Sequence, residues 1–260
     1  MGTEPAAPKR SKGPLLAGAV FLLAAAIGAG AWLLASRPPP PPPQAAPPPA
    51  AVEPPPTPAP SPVPADQLAA LLQRVSSNPL YRRWIAEPEP LHRWAVVADN
   101  LQEDVSPRAQ LGFLRPVEPF TIVEGAMGIT GAPASFARYD AITDAIVSIN
   151  ATELARVYRA LHPALQWTYR ELGYPKASLD AVAAQALSRL AAAPLGTAGS
   201  AQTLVRKGAI YLYADPRLEG LGPVEKHLLR FGPRNARLVQ EKARELLTAL
   251  GLPEVKIAPR

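Results

Sequence analysis

The tract at residues 37–64 constrains this chain more than any other feature. It carries the run PPPPPP at 38–43 and further prolines throughout, out of 34 prolines in 260 residues. Proline has no backbone N–H and a fixed φ, so the tract can enter neither a helix nor a sheet and is held near polyproline II dihedrals. At about 3.1 Å per residue it reaches roughly 85 Å when extended, with alanine-rich interruptions that make it semi-rigid. Whatever precedes it must therefore fold apart from whatever follows. A spacer that sets a distance and a merely disordered linker are equally consistent with this composition. A PxxP ligand is the weaker third reading, because it needs a reader domain on the same side of the membrane.

Ahead of the tract, residues 14–35 read PLLAGAVFLLAAAIGAGAWLLA without a single charge. As a helix this segment spans roughly 33 Å, about one hydrocarbon core, so a transmembrane helix is expected over 14–36 with the lipid bilayer as its partner. Lys9, Arg10 and Lys12 sit in the basic tail at 1–13, whereas only Arg37 follows the apolar segment before Arg74. The positive-inside rule then places the N-terminus in the cytoplasm and exports the rest, giving a single-pass protein of a bacterial inner membrane with a periplasmic C-terminal domain. A cleavable signal peptide competes with the anchor, since Ala29-Gly30-Ala31 matches an A-x-A site. Against cleavage, Trp32, Leu33 and Leu34 prolong the apolar run to spanning length. Both readings export the domain. Ala24 with Gly28, and Ala26 with Gly30, would let two such helices approach closely, but these residues are so common in membrane helices that a weak homodimer is the lesser expectation.

Residues 65–252 are long enough for one domain with its own core, followed by a short tail at 253–260. The chain has no cysteine, which removes disulfides, thiol nucleophiles and Cys-ligated metals. The net charge of +6 lies partly around the apolar segment, leaving a mildly basic domain for which nucleic acid is a poor partner. The expected fold class is mainly α with one small β-hairpin. Helical spacing recurs through Leu68, Leu71, Leu72 and Val75, after Pro79, and through Leu91, Trp94, Ala98 and Leu101. Residues 106–134 read as loop apart from a short strand at 120–123. One helix is expected over 133–150, a long one from Asn150 or Thr152 to Gly173 with a bend at Pro163, and another capped by Ser178. A hairpin then turns at Lys207-Gly208, and two helices at 223–231 and 233–250 meet at a Gly232-Pro233 elbow.

Strong catalytic motifs are missing. Gly125, Gly128 and Gly131 form GxxGxxG, which is neither a dinucleotide fingerprint nor a P-loop and reads as a flexible loop. HExxH and GxSxG do not occur, and His92, His162 and His227 are too far apart to make a helical ligand pair, so satisfied or exposed imidazoles are expected. No cofactor and no metal site is expected. Asp140 and Asp144 lie four apart on one helix and would supply half of an acidic site. A solvated face with Arg138 as partner is the better reading. Asn150-Ala151-Thr152 matches a glycosylation acceptor, yet in a chain of bacterial character helix capping explains it.

The most distinctive stretch is Tyr213-Ala214-Asp215-Pro216-Arg217-Leu218-Glu219, followed by Lys226, Leu228, Leu229 and Arg230, then Gly232-Pro233 and Asn235. It resembles the C-terminal motif of a bacterial family known as domain of unknown function 3014. Arg138-Tyr139-Asp140 and Leu172-Gly173-Tyr174-Pro175 resemble that family's earlier motifs, and a membrane segment with a proline-rich tract is typical of it. The resemblance covers most of 65–250 and implies no activity, so no catalytic residue follows from it.

At the elbow, free backbone N–H groups open the last helix beside Arg230 and Arg234, an arrangement that favours an anion through the helix dipole and guanidinium donors. Arg230, Arg234, Asn235, Glu219 and Lys226 are therefore the candidate anion or partner contacts. The competing and stronger expectation is that Glu219 or Glu225 pairs with Arg230 and simply locks the elbow. The function expected is a non-enzymatic binding or scaffold module held in the envelope, facing an envelope protein or a cell-wall component. The alternative is an enzyme on an envelope polymer whose Asp140, Asp144, Glu219 and Glu225 converge in one cleft. A DNA-binding helix-turn-helix in the last two helices conflicts with export.

Overall fold

A computed structural model describes residues 59–126, 128–175, 177–196 and 201–257. The basic tail, the expected membrane helix and nearly all of the proline-rich tract lie outside these residues. Among the described residues no helix is long and apolar enough to cross a membrane.

Proline and asparagine set the first helices. After α1 (Ala65–Gln73), Asn78 accepts from the N–H groups of Leu80 and Tyr81, capping α2 (Pro79–Ile85), and α3 (Pro90–Gln102) again begins at a proline. The Tyr81 hydroxyl donates to Leu72 O at 3.0 Å and ties α2 to α1. Further on, Asn150 caps α6 (Ala151–Glu171) through the N–H of Glu153, and Ser178 caps α7 (Leu179–Ala192) through that of Ala181. The capping role expected for Asn150 is thus the observed one. Helix α6 continues through Pro163.

The main core lies where α1, α2, α3, α6 and α7 meet, around Leu72, Val75, Tyr81, Val157, Leu161 and Leu165. Leu72, Leu161 and Leu165 are 1%, 1% and 2% exposed. Burial of each such side chain contributes about 1.5–3 kcal/mol. Helix α10 (Pro233–Leu250) closes the other side, packing on α5 (Asp140–Val147), α6 and α7. A second cluster gathers Ala193, Leu228, Ala236 and Val239 beneath it.

Two sequence expectations are corrected. The single strand and single hairpin become a four-stranded antiparallel sheet in the order β1 (Ile122–Gly125), β2 (Gly128–Gly131), β3 (Thr203–Lys207), β4 (Ile210–Tyr213). Gly125 therefore ends the first strand of a hairpin and Gly128 and Gly131 bound the second, so the GxxGxxG stretch is not a loose loop. Pairing of Ile129 with Leu204 and Thr130 with Thr203 joins the two hairpins, and this long-range contact supplies the stability that either two-stranded hairpin lacks alone.

The helix expected over 133–150 is broken into α4 (Pro133–Ala137) and α5. A continuing helix would use Ser135 O to receive the Tyr139 N–H. Instead Arg138 Nε donates to Ser135 O at 2.8 Å, and Tyr139 N turns to Phe136 O at 3.0 Å. A side chain has taken the carbonyl the helix needed.

Between α8 (Pro216–Glu219) and α9 (Pro223–Arg230) the chain passes Gly222, where an added Cβ would overlap the carboxylate of Asp104. Asp104 is 2% exposed, stands at φ 58 just past α3, and accepts from the Val224 N–H at 3.0 Å. It caps α9 from a distant part of the chain and adds a negative charge at the positive end of that helix. Asp104→Ala is expected to cost about 1–3 kcal/mol by leaving a buried N–H unpaired. Urea unfolding measures this, and a loss below half a kcal/mol would contradict the capping role.

Candidate functional site

Tyr213, Glu219, Lys226, Leu229, Arg230, Gly232 and Pro233 of the C-terminal motif converge on one cleft of about 440 Å³ between the sheet and the elbow. Strand β4 supplies Tyr211 and Tyr213, β2 ends in it at Gly131, and α4 contributes Phe136. From the other side come Glu219 of α8, Lys226 and Arg230 of α9, and Gly232 with Pro233 of the elbow. Gly131 has a steric reason, because a Cβ there would stand 2.7 Å from the Phe136 ring. Arg138 reaches the same cleft from the helix break, its guanidinium 5.6 Å from the Phe120 ring centre and 5.1 Å from that of Tyr139.

The charges in the cleft are not equivalent. Lys226 Nζ donates to Glu219 Oε1 at 2.7 Å, and the Tyr213 N–H donates to Glu219 Oε2 at 2.9 Å. The lysine bond holds the Glu219 carboxyl below the usual carboxylate range, reinforced by the Tyr213 N–H and by the charge of Arg230. Burial pushes the Tyr213 phenol up to about 12, against the pull of Arg230. Arg138 spends its donors on Ser135 O and Glu118 O. Arg230 is exposed and makes no ion pair or hydrogen bond with any described residue, so neither carboxylate locks it as the competing expectation required. Glu225 instead meets Arg189 of α7 at 2.8 Å. The cleft therefore holds a neutralised Glu219–Lys226 pair and an unpaired cation.

The remaining candidates are distributed around the elbow. Asn235 is 2% exposed, and its amide faces Asp140 Oδ1 at 2.7 Å and the carbonyls of Phe136 and Phe231 at 3.2 Å each. It is a positioning residue that ties α10 to the helix break. Arg234 lies on the surface, 2.8 Å from Asn235 Oδ1 and 3.5 Å from Asp140. Asp140 is thus partnered by α10 rather than by Arg138, and Asp144 is exposed. Of the four carboxylates that an enzyme would have needed in one cleft, Glu219 alone lines it. Among the described residues no group of three or more histidines and carboxylates is placed to share a metal ion.

Sequence reasoning missed the aromatic wall of Phe120, Phe136 and Tyr211, for which Gly131 was the available signal. It also missed Arg189 and Asp104, whose partners lie far along the chain.

Among the histidines, His92 is exposed and His162 Nε2 lies 3.1 Å from Asp180. His227 Nδ1 sits 3.2 Å from Ser106 Oγ, and burial, with Arg230 and Arg108 beside it, pushes its pKa down to about 4. The unfolded chain then binds a proton at His227 below pH 6.5 that the folded chain refuses until about 4, so stability is lost as the pH is lowered through that window. His227→Gln should flatten this part of a stability profile measured by thermal unfolding. An unchanged slope would show that His227 is not the group responsible.

A family model for proteins of unknown function, DUF3014, matches residues 91–247. The chain belongs to this family. The DUF3014 match opens with α3, stops within α10 and encloses every residue lining the cleft, while α1 and α2 lie outside it. No curated protein and no solved structure matches the chain.

Proposed function

We propose that this DUF3014 protein is a membrane-anchored binding module of the bacterial envelope, whose periplasmic domain grips an anionic group of an envelope protein or cell-wall component in the cleft at the elbow. The observation that carries this reading is Arg230, unpaired among the described residues, in a cleft where Lys226 already neutralises Glu219, the one carboxylate that the described residues bring to it. An incoming anion gains a charge-assisted contact there without displacing an existing ion pair. The four aromatic side chains of the wall, Phe120, Phe136, Tyr211 and Tyr213, add apolar area, and the two tyrosines add polar tips. Support for the anchor comes from the uncharged segment at 14–35 and the cations ahead of it.

Binding is favoured over catalysis because general acid–base work needs a group that titrates near working pH. Glu219 is held ionised by its lysine, the opposite of that tuning.

A photo-crosslinking amino acid at Ile210, which lines the cleft and is 58% exposed, tests the reading in the full-length protein in cells. A discrete adduct is expected, reduced about tenfold by Arg230→Ala, the equivalent of about 1.4 kcal/mol. Adducts insensitive to Arg230→Ala would overturn the cleft. Protease added to spheroplasts should digest the C-terminal domain, and its survival beside an exposed N-terminal tag would overturn the topology.

A further inference from the structure

A second cavity, of about 1030 Å³, lies among α2, α3, α5, α7, α9 and α10, on the other side of the wall formed by Arg138 and Arg230, which line both spaces. Its volume is at the upper end of the range of about 300–1,000 Å³ typical of small-molecule sites. The lining is largely apolar, with Trp84, Leu101, Ile142, Ile146, Leu190 and Phe231 among its residues. Its charges all have one sign. Arg108, Arg115, Arg138, Arg230 and Lys242 contribute to it, and no aspartate or glutamate does among the described residues.

Two of these cations are committed elsewhere. Lys242 Nζ donates to Ile149 O at 2.9 Å and pairs with Glu245, while Arg138 holds Glu118 O and Ser135 O. Arg108, Arg115 and Arg230 are exposed and make no ion pair or hydrogen bond with any described residue. The fields of Arg108 and Arg230 both reach the imidazole of His227 in the same wall. An apolar helix laid into this space would bring unpaired guanidinium groups into low dielectric, which is costly. A ligand with an apolar body and a negative end satisfies both parts of the wall.

We propose that this cavity binds a single-chain anionic amphiphile, with its acyl chain between α3, α5, α7 and α10 and its carboxylate or phosphate head at Arg108, Arg115 and Arg230. The site is separable from the elbow cleft, because Arg108 and Arg115 line only this cavity.

The test uses the full chain in phosphatidylcholine nanodiscs and palmitate bearing a diazirine in its acyl chain, with adducts mapped by peptide mass spectrometry. Labelling is expected on peptides containing Leu101, Ile146 and Leu190, and excess palmitate should suppress it where hexadecanol does not. Arg108→Gln with Arg115→Gln should reduce it about tenfold, equivalent to about 1.4 kcal/mol, at an unchanged far-UV circular dichroism spectrum. Should that variant fail to fold, the palmitate-versus-hexadecanol comparison on the unaltered chain decides alone. A parallel arm carries the diazirine on phosphatidylglycerol. Labelling by palmitate alone assigns the site to free acids, and labelling by both makes the bilayer a source as well. Labelling by phosphatidylglycerol alone overturns the single-chain assignment. Equal suppression by hexadecanol, or adducts confined to residues 14–36, overturns the site.

Discussion

Arg189→Ala is expected to remove about 3–5 kcal/mol of folding free energy, the cost of breaking a buried ion pair from one side. Arg189 donates to Glu225 Oε1 at 2.8 Å and to Gln102 O at 3.0 Å, and the two side chains are only 10% and 9% exposed. Truncation strands a carboxylate between α7 and α9 and leaves the end of α3 without its donor. Glu225 Oε2 has no hydrogen-bond partner among the described residues, so the carboxylate depends on Arg189 there. The double replacement Arg189→Met, Glu225→Leu should recover most of the loss, because two apolar side chains of similar size need no partner. Urea unfolding with an unchanged m-value reads both effects. A single-variant cost under 1 kcal/mol would show the pair to be better solvated than its burial implies.

Gly232→Ala is expected to cost about 2–6 kcal/mol, from about 1–3 of backbone strain and about 1–3 of overpacking. Gly232 stands at φ 82 and ψ 165, a region open in practice to glycine alone. A Cβ there would also stand 2.5 Å from Phe136 Cγ. The strain and the clash act on the floor of the cleft, so crosslinking at Ile210 should fall together with stability. Gly251→Ala is the control. Gly251 has φ 71 but nothing within 4 Å of its added Cβ, so only the left-handed backbone is penalised, at about 1–2 kcal/mol. Phe136→Ala in the Gly232→Ala background should return the steric part and leave the backbone part. Equal costs at positions 232 and 251 would remove Phe136 from the explanation.

The helical part of this fold was legible because its signals are local. Asn78, Asn150 and Ser178 each accept from a backbone N–H two or three residues on, and Pro79, Pro90, Pro223 and Pro233 each open a helix at the one position where a missing N–H costs nothing. The break at Arg138 carried no such sign. Residues 133–150 keep helical spacing throughout, and what ends α4 is a guanidinium claiming Ser135 O, with Asn235 drawing Phe136 O from the other side. The sheet was half legible for the same reason. Lys207-Gly208 marks one hairpin by itself, but the glycines of the other look like a loop until Thr203 and Leu204 arrive from far along the chain.

At the elbow, the residues stand out in the sequence as one motif, and the structure decided their roles. Glu219 and Lys226 are seven apart in sequence, and nothing in that spacing favours Lys226 over Arg230 as the partner of Glu219. Side-chain reach after folding decides it, leaving Arg230 exposed and Asn235 buried. By itself the sequence determined where a compact domain can begin, which ends of its helices are capped, and that a proline-rich tract divides it from an apolar, uncharged segment. These properties depend on bonds and dihedrals within a few residues. Only the tertiary structure decided which charges are spent and which remain free, and that two cavities share the wall of Arg138 and Arg230, because both depend on how separate elements pack and on side-chain reach after folding, from Glu219 and Lys226 seven positions apart to Asp140 and Asn235 ninety-five apart.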